Sequence, residues 1–183
     1  PHFSPEEGRD IYENPIFDFI IGSIHNLRNS NDFYYIKYPP IDEFRPTIYE
    51  YLYEYAELAK SGLCDVLGHI GYMHKYMARQ GVYFNMMDFS DQLKEVFHAA
   101  VENGVGIEVN TSSLRDTYGD FVPNLEVLKL YRECGGEIIT TGSDAHTAEH
   151  AGCGIREAYD LLRHAGFKFI SIFKAHKPEF IKI

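Results

Sequence analysis

No stretch of this 183-residue chain approaches the roughly 20 consecutive apolar residues that a membrane-spanning helix needs, and no basic-then-apolar leader opens it. Membrane partners are therefore not expected, and the chain reads as soluble and cytoplasmic. Cysteine is scarce. Cys64, Cys134 and Cys153 are widely spaced with no C-x-x-C pair, which argues against a disulfide framework or a thiolate zinc site and for buried, reduced thiols. Basic residues are outnumbered, 17 against 27 acidic, and the net charge of −10 would repel a polyphosphate backbone, so nucleic acid is not an expected partner. Linkers and low-complexity tracts are also missing, so residues 1–183 read as one domain, and 45% hydrophobic content is enough for a full core.

What is present is an alternation. Apolar runs of strand length occur in "FDFIIGSIH" (17–25), "CDVLGHI" (64–70), "VGIEVNTSS", "EIITTGSDAH" and "FKFISIFKA". Segments of helical period lie between them. "TIYEYLYEYAELAKSG" carries a capping box in Thr47 and Glu50, apolar positions at Ile48, Leu52, Tyr55 and Leu58, and Gly62 as its stop. "DFSDQLKEVFHAAVENG" aligns Leu93, Phe97, Ala100 and Val101 and ends at Gly104, and "NLEVLKLYRECGG" and "GIREAYDLLRHAG" repeat the form. About five strands, nearly all apolar and alternating with helices, predict an α/β fold with a helix-covered parallel sheet, for which barrel closure is a common outcome. The opening "PHFSPEEGRDIYENP" reads as a polar, proline-marked loop.

In such folds the chemistry gathers at the carboxyl ends of the strands. Those ends carry His25, His69, Glu108 with Asn110, and Asp144 with His146. Imidazoles and carboxylates are the ligand set of zinc, iron or manganese. A lone histidine at a strand end is more often a core or capping residue, and Asp144 could merely cap a helix. Repetition at four successive strand ends shifts the balance towards a metal site of His25, His69, Asp144 and His146, with Glu108 and Asn110 as substrate or supporting groups. His2, His98 and His164 read as solvated, and His74 and His150 are ambiguous. His176 follows the last strand and is a candidate substrate contact. Arg28 and Arg115, just beyond His25 and Asn110, suit a phosphate. The tyrosines of "YEYLYEYAEL" fit packing by helical spacing alone.

The segments "FDFIIGSIHNL", "CDVLGHI", "GIEVNTSSLR" and "TTGSDAHTAEHAG", in that order, resemble the later motifs of the PHP superfamily (polymerase and histidinol phosphatase), in its histidinol-phosphatase branch. The resemblance implies a distorted (β/α)7 TIM-like barrel and two or three divalent metal ions, with His25, His69, Asp144 and His146 among the ligands. It makes Arg115 and Arg28 phosphate contacts and lines the site with Glu108 and Asn110. The implied reaction is hydrolysis of L-histidinol phosphate to L-histidinol and phosphate by a metal-activated hydroxide, a step of histidine biosynthesis. The family's H-x-H motif and its metal-bridging glutamate are not found before Phe17. The expectation is therefore a chain shortened at its N-terminus, with about five βα units of the barrel, part of the ligand set, activity that belongs to the intact parent rather than to this chain, and open sheet edges through which it self-associates. The alternatives are another phosphoesterase of the superfamily acting on phosphotyrosine or a nucleotide, a metal-dependent amidohydrolase, and a metal-binding module without turnover.

Overall fold

The structure is a computed structural model that describes residues 5–183; His2 lies outside the described residues. Its first element is a helix, α1 (Pro5–Tyr12), where the sequence suggested a loop. The chain then forms β1 (Ile21–Gly22), α2 (Ile41–Ser61), β2 (Val66–Leu67), α3 (His74–Arg79), α4 (Ser90–Glu102), β3 (Gly106–Asn110), α5 (Leu125–Glu133), β4 (Ile139–Gly142) and α6 (Ile155–His164). The four strands hydrogen-bond in the order β1-β2-β3-β4, every pair parallel, with Val66 beside both Ile21 and Gly106 and Ile107 beside Ile139. This is an α/β architecture in which helices supply the crossovers that parallel pairing demands.

α2 begins six residues earlier than Thr47, with Pro40 before its first turn, so the Thr47–Glu50 box does not cap it. Pro46 lies inside the helix and forfeits one backbone bond near its start. The buried stripe Phe44, Ile48, Tyr51, Leu52 and Tyr55 outweighs that loss, each large apolar side chain contributing about 1.5–3 kcal/mol on burial. Gly62, at φ 65°, closes the helix in the left-handed conformation that a glycine adopts without strain. On α4, Leu93, Phe97 and Ala100 are buried together with Val96, whereas Val101 falls at the fringe of the stripe and is exposed.

The fifth apolar run does not extend the parallel sheet. β5 (Phe169–Lys174) turns through Ala175 and His176, at φ 47° and 62°, into β6 (Lys177–Lys182) and pairs with it antiparallel. A two-residue turn with positive φ at both positions makes a hairpin, not a crossover. β6 escaped the sequence reading because Lys177, Pro178, Glu179 and Lys182 break up its apolar residues, as befits an exposed strand. The hairpin meets the sheet next to β4, where the Ser171 hydroxyl accepts a hydrogen bond from Ile139 N–H at 3.3 Å. No helix among the described residues is long and apolar enough to cross a membrane.

Candidate active site

The carboxyl ends of the four parallel strands open into a cavity of about 490 Å³. Its walls include His25, His69, Glu108, Asn110, Asp144 and His146, so all six strand-end residues singled out in the sequence meet in one place. The walls also include Ser23, Tyr72, Lys75 and Tyr76.

Each side chain is placed by an identifiable restraint. His25 and His69 face each other with Nε2 atoms 3.2 Å apart, and the Tyr72 ring lies against both, at 4.5 and 5.0 Å between centroids. His69 sits at φ 21° and Asp144 at φ 47°, a region that side chains rarely occupy. The backbone N–H of His69 is anchored by Glu108, whose Oε2 accepts it at 3.0 Å and also accepts from Asn110 Nδ2 at 3.4 Å. Gly142, at the end of β4, makes room for that carboxylate: a Cβ there would collide with Glu108 Oε1. Two buried phenols of α2 reach the same loops. Tyr55 touches the backbone beside both histidines, and the Tyr51 hydroxyl accepts from the N–H groups of Gly71 and Tyr72 at 2.9 and 3.2 Å.

Burial, then the neighbouring His25, pushes the His69 imidazole down to about 4, and burial lowers His25 as well, so both rings are held neutral. Burial raises the Glu108 carboxyl above the usual range. For Asp144 burial also pushes upward, but the Lys75 ammonium leads the groups that outweigh it and holds the carboxyl below its usual range. Lys75 is lowered by burial in spite of Asp144.

Lys75 is the residue that sequence reasoning missed. Its Nζ lies 3.8 Å from Asp144 Oδ2, donates to Ser112 Oγ at 3.3 Å, and sits 5.3 and 5.1 Å from the ring centroids of Tyr72 and Tyr76. The sequence drew notice to its neighbour, His74, but that ring is buried between Phe84 and Tyr118, at 4.2 and 4.8 Å, where burial pushes it down to about 3. The sequence offered little signal for Lys75, because α3 is only six residues long and too short to declare a helical period.

Other candidates are not among the residues that line the cavity. Arg115 is exposed and donates through Nη2 to the Ser143 carbonyl at 2.7 Å, bracing the loop that carries Asp144. Arg28 is exposed on the loop after His25 and its backbone N–H reaches Glu54 at 3.5 Å. His176 is at the opposite end of the sheet: its Nδ1 lies 2.9 Å from Oδ2 of the buried Asp65, just before β2, and its ring packs on Tyr12. The hairpin reverses the chain before the place where a βα loop would have turned His176 towards the cavity. His150 pairs with Glu149 at 3.6 Å, while His98 and His164 are exposed as expected.

The four expected metal ligands share the cavity without forming a ready coordination sphere. Among the described residues, no three His, Cys, Asp or Glu side chains are arranged to hold an ion. The reason is visible in His146, whose side chain is 84% exposed with Nδ1 turned back to the Asp144 carbonyl at 3.1 Å, while His25 and His69 point at each other.

With this geometry in place, comparison with known proteins is decisive about kinship. The PHP domain family matches residues 8–112, more than half of the chain. The chain belongs to the PHP domain family. Among its curated relatives, a protein of Clostridium acetobutylicum named probable histidinol-phosphatase is 30% identical over 171 residues, covering 89% of this chain and 64% of that protein. The histidinol-phosphatase of Lactococcus lactis subsp. lactis is 26% identical over 172 residues, covering 88% of this chain and 60% of that protein. The chain thus spans somewhat less than two thirds of the length of these relatives. A solved structure of the histidinol phosphate phosphatase of Lactococcus lactis subsp. lactis, complexed with zinc, L-histidinol and phosphate, superposes with a TM-score of 0.69 at 23% identity, over 95% of this chain and 66% of that one. At that identity the likeness establishes the PHP-type α/β fold.

Proposed function

We propose that this PHP chain serves the metal-dependent hydrolysis of a phosphate monoester, L-histidinol phosphate, to L-histidinol and phosphate in histidine biosynthesis. The observation that carries the reading is the meeting, in one cavity, of two facing neutral imidazoles, an ionised carboxylate and a lysine. The names of the relatives, and the zinc, L-histidinol and phosphate held by the Lactococcus lactis protein, support the choice of substrate.

The donors fit divalent metal in kind. His25 and His69 are neutral, Asp144 is charged, and Nδ1 of His69 is buried without a hydrogen-bond partner among the described residues. In this reading His25, His69, Asp144 and His146 would hold two or three ions of zinc, iron or manganese. Such ions, when bound, offset phosphoryl charge and make water more acidic. The chain's own residues supply the rest. Lys75 donates to a phosphoryl oxygen, Arg115 holds the Ser143–Asp144 loop, Glu108 fixes the backbone of His69, and Asn110 lines the cavity beside it. Arg28, exposed on the loop after His25, is a further candidate phosphate contact, whereas His176 is taken up by Asp65.

The finer fold in this reading is the distorted (β/α)7 barrel, with 1–183 as one phosphoesterase unit. Its compartment is the cytoplasm and its partner a small phosphate ester, with neither nucleic acid nor membrane. Self-association through sheet edges belongs to the same reading, since Ile21 on β1 and Phe180 and Ile181 on β6 are exposed. Phosphate release from a panel of esters, with zinc, iron or manganese and again after chelation, tests it. L-Histidinol phosphate should outrank phosphotyrosine and nucleotides, and a reversed order would assign the site to another phosphoester.

A further inference from the structure

The two facing histidines come from different strands and different loops, and nothing in the β1–β2 ladder alone fixes their approach. That ladder is two residue pairs long, Ile21 with Val66 and Gly22 with Leu67, and stops before either histidine. One side chain spans the gap. The Tyr55 hydroxyl, on α2, accepts a hydrogen bond from Ile24 N–H at 3.3 Å and donates to the Gly68 carbonyl at 2.9 Å. Ile24 is the residue before His25, and Gly68 is the residue before His69. Tyr55 is fully buried, so neither bond can be replaced by water, and its ring is packed against Tyr51 at 4.9 Å between centroids.

We propose that Tyr55 is the positioning residue of the metal-binding pair: a single phenol that clamps the His25 and His69 loops and thereby sets the separation of their Nε2 atoms. Physically, a hydroxyl can do this because it is donor and acceptor at once, so one oxygen takes the N–H of one loop and gives its proton to the carbonyl of the other. The clamp also explains how His69 persists at φ 21°. The strained residue lies between Gly68, held by Tyr55, and Gly71 and Tyr72, held by Tyr51, while its own N–H is held by Glu108. Tyr55 is not among the residues that line the cavity, and its effect reaches the site through the backbone. The inference rests on the proposed metal role of His25 and His69, but the clamp itself does not require metal to be present.

The test compares Tyr55→Phe with Tyr131→Phe in the whole chain. Tyr131 is also a buried phenol, and it donates to the Ile138 carbonyl at 3.0 Å, before β4 and away from the cavity. The control removes a buried hydrogen bond without touching the histidine loops. Without metal, the imidazole resonances of His25 and His69 should move in Tyr55→Phe and stay in place in Tyr131→Phe. With cobalt(II) as a visible-absorbing probe, Tyr55→Phe should weaken binding by about 10–100-fold, the range for groups that orient metal ligands. Tyr51→Phe removes the phenol packed against Tyr55 and should shift the His69 resonances more than those of His25; it is measured if Tyr55→Phe does not fold, and unmoved resonances there would also overturn the clamp. Unmoved His25 and His69 resonances in a folded Tyr55→Phe protein, or equal shifts in the Tyr131→Phe control, would overturn the clamp. If instead the resonances move as expected while the unsubstituted chain binds no cobalt(II), the clamp stands and the metal reading falls.

Discussion

The two ends of the parallel sheet carry the same residue types and use them in opposite ways. Below β2, His176 and Asp65 close on each other at 2.9 Å, and Asp65 also takes the Ile20 N–H at 2.7 Å and the Tyr12 hydroxyl at 3.2 Å. Above the sheet, His25, His69 and Asp144 face a cavity, and two of the three residues His25, His69 and Asp144 stand at positive φ. A histidine beside a carboxylate is thus not in itself a site. At one end the groups are consumed by holding a hairpin; at the other the scaffold spends hydrogen bonds on the backbone and leaves the side chains available.

The largest effect should come from the open end. His69→Ala combined with Asp144→Ala should abolish metal uptake in elemental analysis and lower phosphate release by about 10³-fold or more, in line with losing preorganised charge at a reaction centre. Full occupancy in the double variant would erase the distinction between the ends. Lys75→Met keeps the aliphatic stem over the tyrosine rings and removes the charge. It should weaken turnover by roughly 2 to 4 kcal/mol of transition-state stabilisation, more than Arg115→Ala, because Lys75 faces the cavity and Arg115 faces a backbone carbonyl. Steady-state kinetics on both variants decides the order.

At the closed end the effect should fall on stability alone. His176→Ala should lower unfolding free energy by about 1.5–3 kcal/mol, since it removes one of the three groups that hydrogen-bond the buried Asp65 carboxylate. Urea denaturation measures it, and phosphate affinity should not change. A variant of full stability with impaired phosphate binding would return His176 to the site. The effect that separates His74 from its neighbour is the smallest at neutral pH and grows only in acid. The folded protein keeps this ring neutral down to about pH 3, whereas the unfolded chain takes up its proton near 6.5. The unfolded state therefore binds more protons in that window, and stability is lost as the pH falls through it. The slope should be shallower by about 1.4 kcal/mol per pH unit in His74→Phe, whose ring can stack in the same slot, while the part owed to His69 and His25 remains.

Much of this was legible in the residues. The helices announced themselves by apolar spacing and by glycine stops such as Gly62, and the strand-end positions His25, His69, Glu108, Asn110, Asp144 and His146 all reached one cavity. The misses share a cause. Thr47 looked like a helix start because a capping pattern is local, but a buried stripe beginning at Phe44 carried the helix further back. His176 looked like a strand-end group because the sequence shows that a strand ends and not which way the chain then turns. His74 drew attention and Lys75 did not, because a short helix declares its period weakly.

What the sequence determined by itself was periodicity: the longer helices, the apolar strand runs and the polar residues at the strand ends, since backbone geometry ties residue spacing to direction over a few positions. Only the tertiary structure decided the rest. Whether the last strand continued the sheet or folded back as a hairpin, whether His74 or Lys75 met the cavity, and whether His25 and His69 came within 3.2 Å all depend on contacts between residues far apart in the chain. Such contacts are fixed by packing and by shared hydrogen bonds like those of Tyr55, which leave no local mark in the sequence.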